Sequence, residues 1–440
     1  MGSELRIFRD PVHDIIPLNL KLPEERIVAG LLDTPEMQRL RRISQLGVSS
    51  MVYPGATHTR FLHSLGAFHL CRRILSHIEN MRKAGLTAHL SEQIHQSIDC
   101  LFASRVLLYS AAILHDIGHG PFSHALESVT NVKHENWANK IVMKSPGIRE
   151  VLESTNESIV SGDIVRVIGR HHTNVMLVKL VSSQLDADRM DYLIRDSYMT
   201  GAKYGNIDLE WLITSLRIGE NAGVPEIGLD AGKGQNVAES LVFARYHMYN
   251  RVYFHKTTRG FEVLVKNILK RAKDLFDERK LKPMTFGAEC LFNLSVEQFL
   301  ALDESCLWGS FTEWARKTKD GILKDLCSRL LERKPMRVVE FNSNNTFEAI
   351  KEIERKKNVL KRKKLNVDYY SGEDSPMLSY YKNPLFGIKS NDQIEASEQI
   401  FLIDDKGDAH NLTEKSKLVN LIARELETIQ RFYYDRRADE

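Results

Sequence analysis

The stretch LHDIGHGPFSHALE, residues 114–127, concentrates side chains that can bind a metal ion or carry a proton. It contains three histidines and two acids: His115, Asp116, His119, His124 and Glu127. Neighbours on a helix point about 100° apart, so His115 and Asp116 can hold one ion only near a helix end or in a cleft between helices. Further ligands must then come from other helices, as in metal sites at the core of helical bundles.

Two other segments offer such ligands. Upstream, TRFLHSLG places His63 on a helix that also displays Arg60 one turn earlier. Downstream, QLDADRMDYLIRD contains four carboxylates: Asp186, Asp188, Asp191 and Asp196. Asp188, Tyr192 and Asp196 follow at four-residue steps, so one helix face presents a carboxylate, a phenol and a second carboxylate.

The elements that must position these residues are mostly helices. Apolar residues recur at three- and four-residue spacing from about residue 22 to 275. Helices are predicted at 34–47, with Thr34 as N-cap and Gly47 as the stop, at 59–81 and at 104–116.

The pattern of apolar residues changes past residue 276. The short extended runs RVVEF (337–341) and QIFLIDD (399–405) alternate there with helical stretches. A last helix is predicted over 413–435, with one side formed by Leu418, Ile422, Leu426 and Ile429. We therefore predict a mainly α fold with a multi-helix catalytic core over 1–275, of which 1–21 is an N-terminal segment, and a smaller α+β C-terminal lobe over 276–440.

Composition narrows the function classes. The 440 residues carry a formal net charge of only +3, too small a field to argue for nucleic acid or membrane binding. Five scattered cysteines without a CxxC pair indicate neither a disulfide framework nor a thiolate zinc site, so we expect a reducing, cytoplasmic setting. The charged N-terminus lacks a signal-peptide pattern, and the apolar runs are far shorter than the roughly 20 residues of a membrane span, so we expect no membrane partner. The basic block ERKKNVLKRKK, 354–364, is either a solvated helix face or a contact for nucleotides or nucleic acid.

A longer pattern carries a family resemblance. HDIGHGPFSH, the HE at 134–135, YPGATHTRFLHSLG and DADRMDYLIRD together resemble the HD-domain phosphohydrolases, and among them the deoxynucleoside triphosphate (dNTP) triphosphohydrolases of the bacterial dGTPase-like and SAM-and-HD-domain types. The resemblance is dense over residues 4–260, and we expect no N-terminal SAM domain. It implies an HD-domain core whose metal ligands are His63, His115, Asp116 and Asp188. Such a mixed imidazole and carboxylate site suits iron, manganese or zinc, with Mg²⁺ on the triphosphate.

The resemblance also implies catalytic roles. Pro121 fits the first turn of a new helix on which His124 and Glu127 are three apart, so the carboxylate can hold the imidazole in one tautomer. By the resemblance, His124 protonates the leaving 5′ oxygen with Glu127 behind it, and His119 and His134 face the phosphates. Asp188 also orients the attacking hydroxide.

For the substrate, the matching cations form a phosphate clamp of Arg60, Arg189 and Arg245. The resemblance assigns Gln45 and Asp196 to the 3′-hydroxyl, and Leu46 and Tyr253 to close packing at the 2′ carbon. Tyr192 lies on the same helix face as Asp196. Taken without the family, Leu46 and Tyr253 would read as core packing.

A regulatory site is implied as well. In SAM-and-HD-domain members, guanine nucleotides assemble an active tetramer, and matching residues here are Arg6, Asp33, Gln38, Arg41, His255 and Lys256. Arg9 stands where that pattern has Asn, which puts the second activating nucleotide in doubt. We expect GTP or dGTP activation and a homo-oligomer, either a dimer or a tetramer.

The leading hypothesis is a metal-dependent hydrolase that converts a dNTP into a deoxynucleoside and inorganic triphosphate. One alternative keeps the metal but acts as a nuclease or as a phosphodiesterase on other nucleotides. Another is a nucleotide-sensing or nucleic-acid-binding protein, against which the intact ligand set and the His124–Glu127 pair argue.

Overall fold

The computed structural model describes residues 4–154, 161–278, 294–341, 346–374, 399–424 and 430–440. The first helices along the chain are α1 (Pro23–Asp33), α2 (Pro35–Arg39), α3 (Arg60–Lys83), α4 (Glu92–Ala103), α5 (Arg105–Leu114), α6 (His124–Thr130), α7 (His134–Lys144), α8 (Pro146–Glu153), α9 (Ser161–Ile168), α10 (Val175–Val181) and α11 (Ala187–Thr200). They are followed by α12 (Leu209–Thr214), α13 (Gln235–Met248), α14 (Lys256–Asp277), α15 (Val296–Ala301), α16 (Glu304–Lys317), α17 (Gly321–Leu331), α18 (Thr346–Arg362), α19 (Val367–Tyr370), α20 (Leu412–Lys415) and α21 (Lys417–Arg424). A π-helical turn, Tyr249–Tyr253, joins α13 to α14.

Within the described residues, three small sheets accompany the helices. An antiparallel hairpin is formed by β1 (Leu5–Asp10) and β2 (Asp14–Asn19). A four-stranded sheet has the order β3 (Leu216–Asn221), β4 (Val224–Asp230), β7 (Phe401–Ile403), β8 (Ala409–Asn411), with β4 and β7 parallel. The third sheet is antiparallel and has the order β5 (Arg337–Phe341), β9 (Gln430–Tyr434), β6 (Ser371–Asp374). The mainly α fold with a few strands is thus confirmed.

Some predicted elements are wrong. The last helix does not run to 435, because Gln430–Tyr434 is the central strand of its sheet, where Phe432 and Tyr433 are buried between two partners. Leu426 and Ile429 lie outside the described residues. The helix at 34–47 is also too long: Thr34 does cap α2, but α2 ends at Arg39 and a 3₁₀ turn, Leu40–Arg42, follows. The hairpins β1–β2 and β3–β4 were not foreseen within the helical region.

The buried apolar residues of the described ranges form two hydrophobic clusters. The first surrounds α3, α5 and α11, and it includes Ile400, Leu402 and Val419 from late in the chain. The second is built on α14, α16, α17 and β9. The division at residue 275 stays a prediction, since these clusters do not follow chain order.

Close packing of α3 on α11 brings the site together. Gly66 makes this possible, because a Cβ there would lie 1.9 Å from Asp191 Oδ1 and 2.4 Å from Arg195 Nη2. Glycine is the residue that allows such a backbone approach. Within the described ranges, no single helix is long and apolar enough to cross a membrane; α4 and α5 reach that length and composition only as a pair bent by 68°.

Candidate active site

Three helices bring one group of metal-capable side chains together. His63 lies on α3, His115 at the C-terminal end of α5 and Asp188 in the first turn of α11, and their ligand atoms all lie within 4.8 Å of one another. His63 Nε2 is 3.2 Å from His115 Nε2 and 3.0 Å from Asp188 Oδ1. Asp116 completes the group, with carboxylate oxygens 3.8 Å from His63 Nε2 and 3.6 Å from His115 Nε2. The structure thus assembles the four predicted ligands.

The donor set fits a cation. His63 Nδ1 lies 2.8 Å from Asp191 Oδ2, and His115 Nδ1 lies 2.8 Å from the Ala112 carbonyl oxygen. Both acceptors require an N–H at Nδ1, so in its neutral form each ring directs its Nε2 lone pair toward the other ring and toward two carboxylates, which is the form in which histidine binds a metal. Such an arrangement of lone pairs and negative charge is stabilised by a positive ion between them.

The surrounding charges keep the two acids ionised. Burial alone would raise the pKa of Asp116, but Arg60, whose Nη1 lies 2.6 Å from Oδ2, and His119 hold that pKa well below its usual range. The pKa of Asp188 is likewise lowered: the opposing effect of burial is outweighed by the hydrogen bonds from His115 and His63. Burial lowers the pKa of His63, but the hydrogen bonds with Asp188 and Asp191 outweigh it and raise that pKa to about 10. The site therefore attracts positive charge.

A network behind His63 fixes its orientation. Asp191 accepts from His63 through Oδ2 and from His13 Nε2 through Oδ1, the latter at 2.6 Å. Arg195 donates to both oxygens of Asp191, at 2.8 and 2.9 Å, and to Asp10. A carboxylate behind a ligating histidine fixes its tautomer and raises its basicity.

A cavity of about 600 Å³ opens onto this group. Arg60 and Arg189 line it, whereas Arg245 lies buried beside it and donates to Gln184. Arg189 is fixed by Asp186, whose Oδ2 lies 3.3 Å from Nε. Burial and the neighbouring Arg189 lower the pKa of Arg245, which follows from two cations held close together.

Histidines form the cavity wall next to Arg60. The rings of His119 and His134 stack with centroids 3.9 Å apart. Burial and Arg60 lower the pKa of His119 to about 3, so this ring is neutral, and its Nε2 lies 3.3 Å from Asp116. Burial also lowers the pKa of His134, but Glu127, 2.8 Å from Nδ1, outweighs it and the net shift is upward.

The predicted general acid, His124, is the first residue of α6. Its side chain lies outside the described part of the structure, so the His124–Glu127 pair stays a prediction. What the structure does bring together is Glu127 with His134, seven residues further on.

The other end of the cavity is lined by Gln45, Leu46, Tyr192, Asp196 and Tyr253. Asp196 accepts from Tyr253 Oη at 2.8 Å and from His58 Nε2 at 2.7 Å, so both carboxylate oxygens are held. Burial and Asp196 raise the pKa of Tyr253 well above its usual value, and it remains a hydroxyl donor. Gln45 Oε1 is buried and finds no hydrogen-bond partner among the described residues, so it is available to a ligand.

A strained turn connects the metal-binding segment to α6. Phe122 and Ser123 both have positive φ, 54° and 38°, although neither is glycine. Glu304, buried at the start of α16, holds this turn: Oε1 accepts from Phe122 N at 3.5 Å and from Ser44 N at 3.0 Å, and Oε2 accepts from Ser44 Oγ at 2.6 Å. One carboxylate thus joins the segment before Gln45 to the turn before His124.

The residues predicted to bind regulatory nucleotides lie elsewhere. Arg6 on β1 donates to both oxygens of Asp33, at 2.6 and 2.7 Å, and Arg41 donates to Gln38 at 2.9 Å. Burial and Arg6 lower the pKa of Arg41, which places the two cations near each other. His255 caps α14, and Lys256 lines a second cavity of about 430 Å³ whose cations are Lys256, Arg333, Lys334, Arg337 and Arg436.

Several contributing residues were missed at the sequence level. The sequence does not predict a site role for four residues: His13, His58, Arg195 and Glu304. It offers Asp191 only as one of four candidate carboxylates. His13 and Asp191 are 178 residues apart, and Ser44 and Glu304 are 260 apart. Local spacing cannot reveal such partners. The signals in the sequence were the polar turn DPVHD and the histidine of ATHTRF, which lies five residues before His63.

Known proteins resemble this chain in sequence and fold. The HD domain model matches residues 60–196, and the HD-associated region matches residues 207–299. YwfO of Bacillus subtilis is 33% identical over 439 residues, covering 98% of this chain and 92% of that protein. The crystal structure of a phosphohydrolase from Bacteroides thetaiotaomicron has a TM-score of 0.75 at 26% identity and covers 98% of this chain and 100% of its own. The chain therefore belongs to the HD-domain phosphohydrolases that carry an HD-associated region.

Within that family, the chain is similar to dNTPases. Deoxynucleoside triphosphate triphosphohydrolase SAMHD1 of Homo sapiens is 26% identical over 305 residues, and the Gallus gallus protein of that name is 27% identical over 304. The match covers 62% of this chain but only 45% of the human protein, so less than half of that protein's length is represented.

Proposed function

We propose that this hydrolase converts a dNTP and water into a deoxynucleoside and inorganic triphosphate. The observation that carries the proposal is one cavity that joins three features: the His63, His115 and Asp188 group, the cations Arg60 and Arg189, and the Tyr253–Asp196 wall. Its volume of about 600 Å³ is in the range of small-ligand pockets. The similarity to SAMHD1 dNTPases supports the same reading.

A divalent transition metal at His63, His115, Asp116 and Asp188, with Mg²⁺ on the triphosphate, would supply Lewis acidity and a more acidic water. Phosphoryl transfer otherwise depends on positioning and charge stabilisation. Arg60 and Arg189 meet the phosphates, and Arg245 adds positive charge close to Arg189. His134, whose pKa is raised, adds a hydrogen-bond donor beside His119. Asp188 orients the attacking water toward the α-phosphorus, and His124, backed by Glu127, protonates the leaving 5′ oxygen.

The sugar end gives the proposed selectivity for deoxyribose. Asp196, held by His58 and Tyr253, accepts from the 3′-hydroxyl, and Gln45 offers its unpaired Oε1 beside it. Leu46 and Tyr253 leave no room at the 2′ carbon. Packing alone rejects an added hydroxyl only about 100-fold, so the hydrogen-bonded wall must contribute to the discrimination.

One assay tests this proposal. Purified protein is incubated with each dNTP and each rNTP in Mn²⁺ or Mg²⁺, and the products are separated by ion exchange. Inorganic triphosphate with deoxynucleoside is the expected outcome. Pyrophosphate or monophosphate would reject the proposal. Oligonucleotide fragments from added nucleic acid would favour the nuclease alternative.

We also propose that a guanine nucleotide activates the enzyme in a cytoplasmic homo-oligomer. Support comes from the paired Arg6 and Asp33 beside Gln38 and Arg41, and from the cationic second cavity at Lys256. The rate with dATP should rise on addition of GTP in wild type and not in Arg41→Ala, as measured by triphosphate release. A rate independent of GTP in wild type would contradict this part alone.

A further inference from the structure

The turn of the β1–β2 hairpin reaches the metal-binding group. His13 follows β1 in this turn, and its side chain is 2% exposed. Its Nε2 lies 2.6 Å from Asp191 Oδ1, while the other oxygen of Asp191 lies 2.8 Å from His63 Nδ1. One carboxylate thus connects the hairpin turn to a metal ligand.

The turn is built to hold His13 there. Asp10 Oδ1 accepts from the backbone N–H groups of Val12 and His13, both at 2.9 Å. Asp10 is itself held by Arg195, at 2.8 Å from Nη1 to Oδ2. Asp14 closes the turn with a φ of 57°. Arg195 also donates to Asp191. One buried cation therefore holds both Asp10, which positions His13, and Asp191, which accepts from His13.

The chemistry of Asp191 makes His13 a donor. Asp191 is fully buried, and Arg195 donates to both of its oxygens, at 2.8 and 2.9 Å, the pairing of a guanidinium with a carboxylate. A carboxylate accepts hydrogen bonds and does not donate them, so His13 carries a proton on Nε2. Asp191 therefore receives four hydrogen bonds from three side chains, and the rotation of its carboxylate group is fixed.

We infer that His13 is a positioning residue for the metal centre, acting through Asp191 on the orientation of His63. Without the His13 donor, Oδ1 of Asp191 keeps only Arg195, and the carboxylate can shift toward Arg195 and lengthen its bond to His63. Loss of a group that hydrogen-bonds a metal ligand typically lowers metal affinity by about 10- to 100-fold, and His13 acts through such a group, Asp191. This inference concerns metal retention, so it is independent of the proposed nucleotide substrate.

The chain offers matched variants. His13→Ala removes the donor, whereas His13→Gln keeps an N–H at nearly the position of Nε2. His69→Ala is the control for packing, since its ring centroid lies 5.3 Å from that of His13 and its Nδ1 bonds Arg72. If His13→Ala does not fold, His13→Asn, whose amide is too short to reach Asp191, replaces it.

The experiment measures the dissociation constants of Mn²⁺ and Zn²⁺ by chelator competition on the full-length apoprotein, with circular dichroism as the check of folding. The Co²⁺ absorption spectrum reports ligand geometry independently. His13→Ala should bind metal about 10-fold or more weakly with an altered spectrum, while His13→Gln and His69→Ala stay close to wild type. Unchanged affinity in His13→Ala, or equal weakening in His69→Ala, would overturn the inference.

Discussion

Replacing Glu304 tests how the second hydrophobic cluster supports the active-site cavity. This buried carboxylate accepts from Ser44 N at 3.0 Å and Ser44 Oγ at 2.6 Å, and it lies 3.5 Å from the N–H of Phe122. Alanine removes all three acceptor contacts and leaves the Ser44 N–H without its partner. Glutamine keeps the shape and one carbonyl acceptor.

The magnitude follows from these contacts. Hydrogen bonds to a charged group contribute about 1.5–3 kcal/mol each. Burial raises the pKa of Glu304, so its folded-state pKa exceeds its unfolded value and its ionisation costs stability as pH rises through that pKa. The two hydrogen bonds from Ser44 stabilise the fold, and the burial of the charge offsets part of that gain. We therefore expect Glu304→Ala to lower the free energy of unfolding by about 2–4 kcal/mol. Glu304→Gln, which carries no buried charge, should stay within about 1 kcal/mol of wild type.

Urea denaturation followed by tryptophan fluorescence measures this change. Trp308 lies one turn after Glu304, and its ring is 5.5 Å from that of Phe122, so it also reports on the strained turn. Glu304→Ala should in addition raise the KM for a dNTP, because the segments of Gln45 and His124 lose their common anchor. A loss below about 1 kcal/mol in Glu304→Ala, with unchanged KM, would refute this account of the turn.

Two further predictions concern the metal and the histidine wall. Asp188→Ala should lose metal and turnover together, measured by metal analysis after gel filtration and by triphosphate release; full activity in a metal-free variant would contradict the ligand assignment. The pKa of His134 is raised above 6.5, so its positive charge is present at lower pH and lost as pH rises through that pKa. We therefore expect kcat/KM to fall as pH rises through the pKa of His134. Glu127→Gln should move that fall to lower pH, and an unmoved profile would exclude His134 as the group that titrates.

The sequence was sufficient where chemistry follows local pattern. HDIGHGPFSH and DADRMDYLIRD carry ligand types at helical spacing, and the structure brings His63, His115, Asp116 and Asp188 within one group. The mainly α fold was also predictable, because apolar periodicity persists over most of the chain. Thr34 acted as the cap that its position indicated.

The remainder depends on long-range pairing. Gln430–Tyr434 contains an apolar run that is compatible with either a helix or a strand. It forms a strand because it pairs with β5 and β6, which lie far from it in sequence. His13 and Glu304 look like ordinary turn and helix-start residues in the sequence. Their roles follow from contacts 178 and 260 residues away, which no local spacing encodes.

The most direct test of the central claim is the identity of the phosphorus product from a dNTP. With ³¹P NMR on a dNTP incubated with the Mn²⁺-loaded and then chelator-quenched enzyme, we expect inorganic triphosphate and no dNMP. Asp188→Ala should give neither. Pyrophosphate with dNMP, or orthophosphate with dNDP, would contradict attack at the α-phosphorus with departure of the 5′ oxygen.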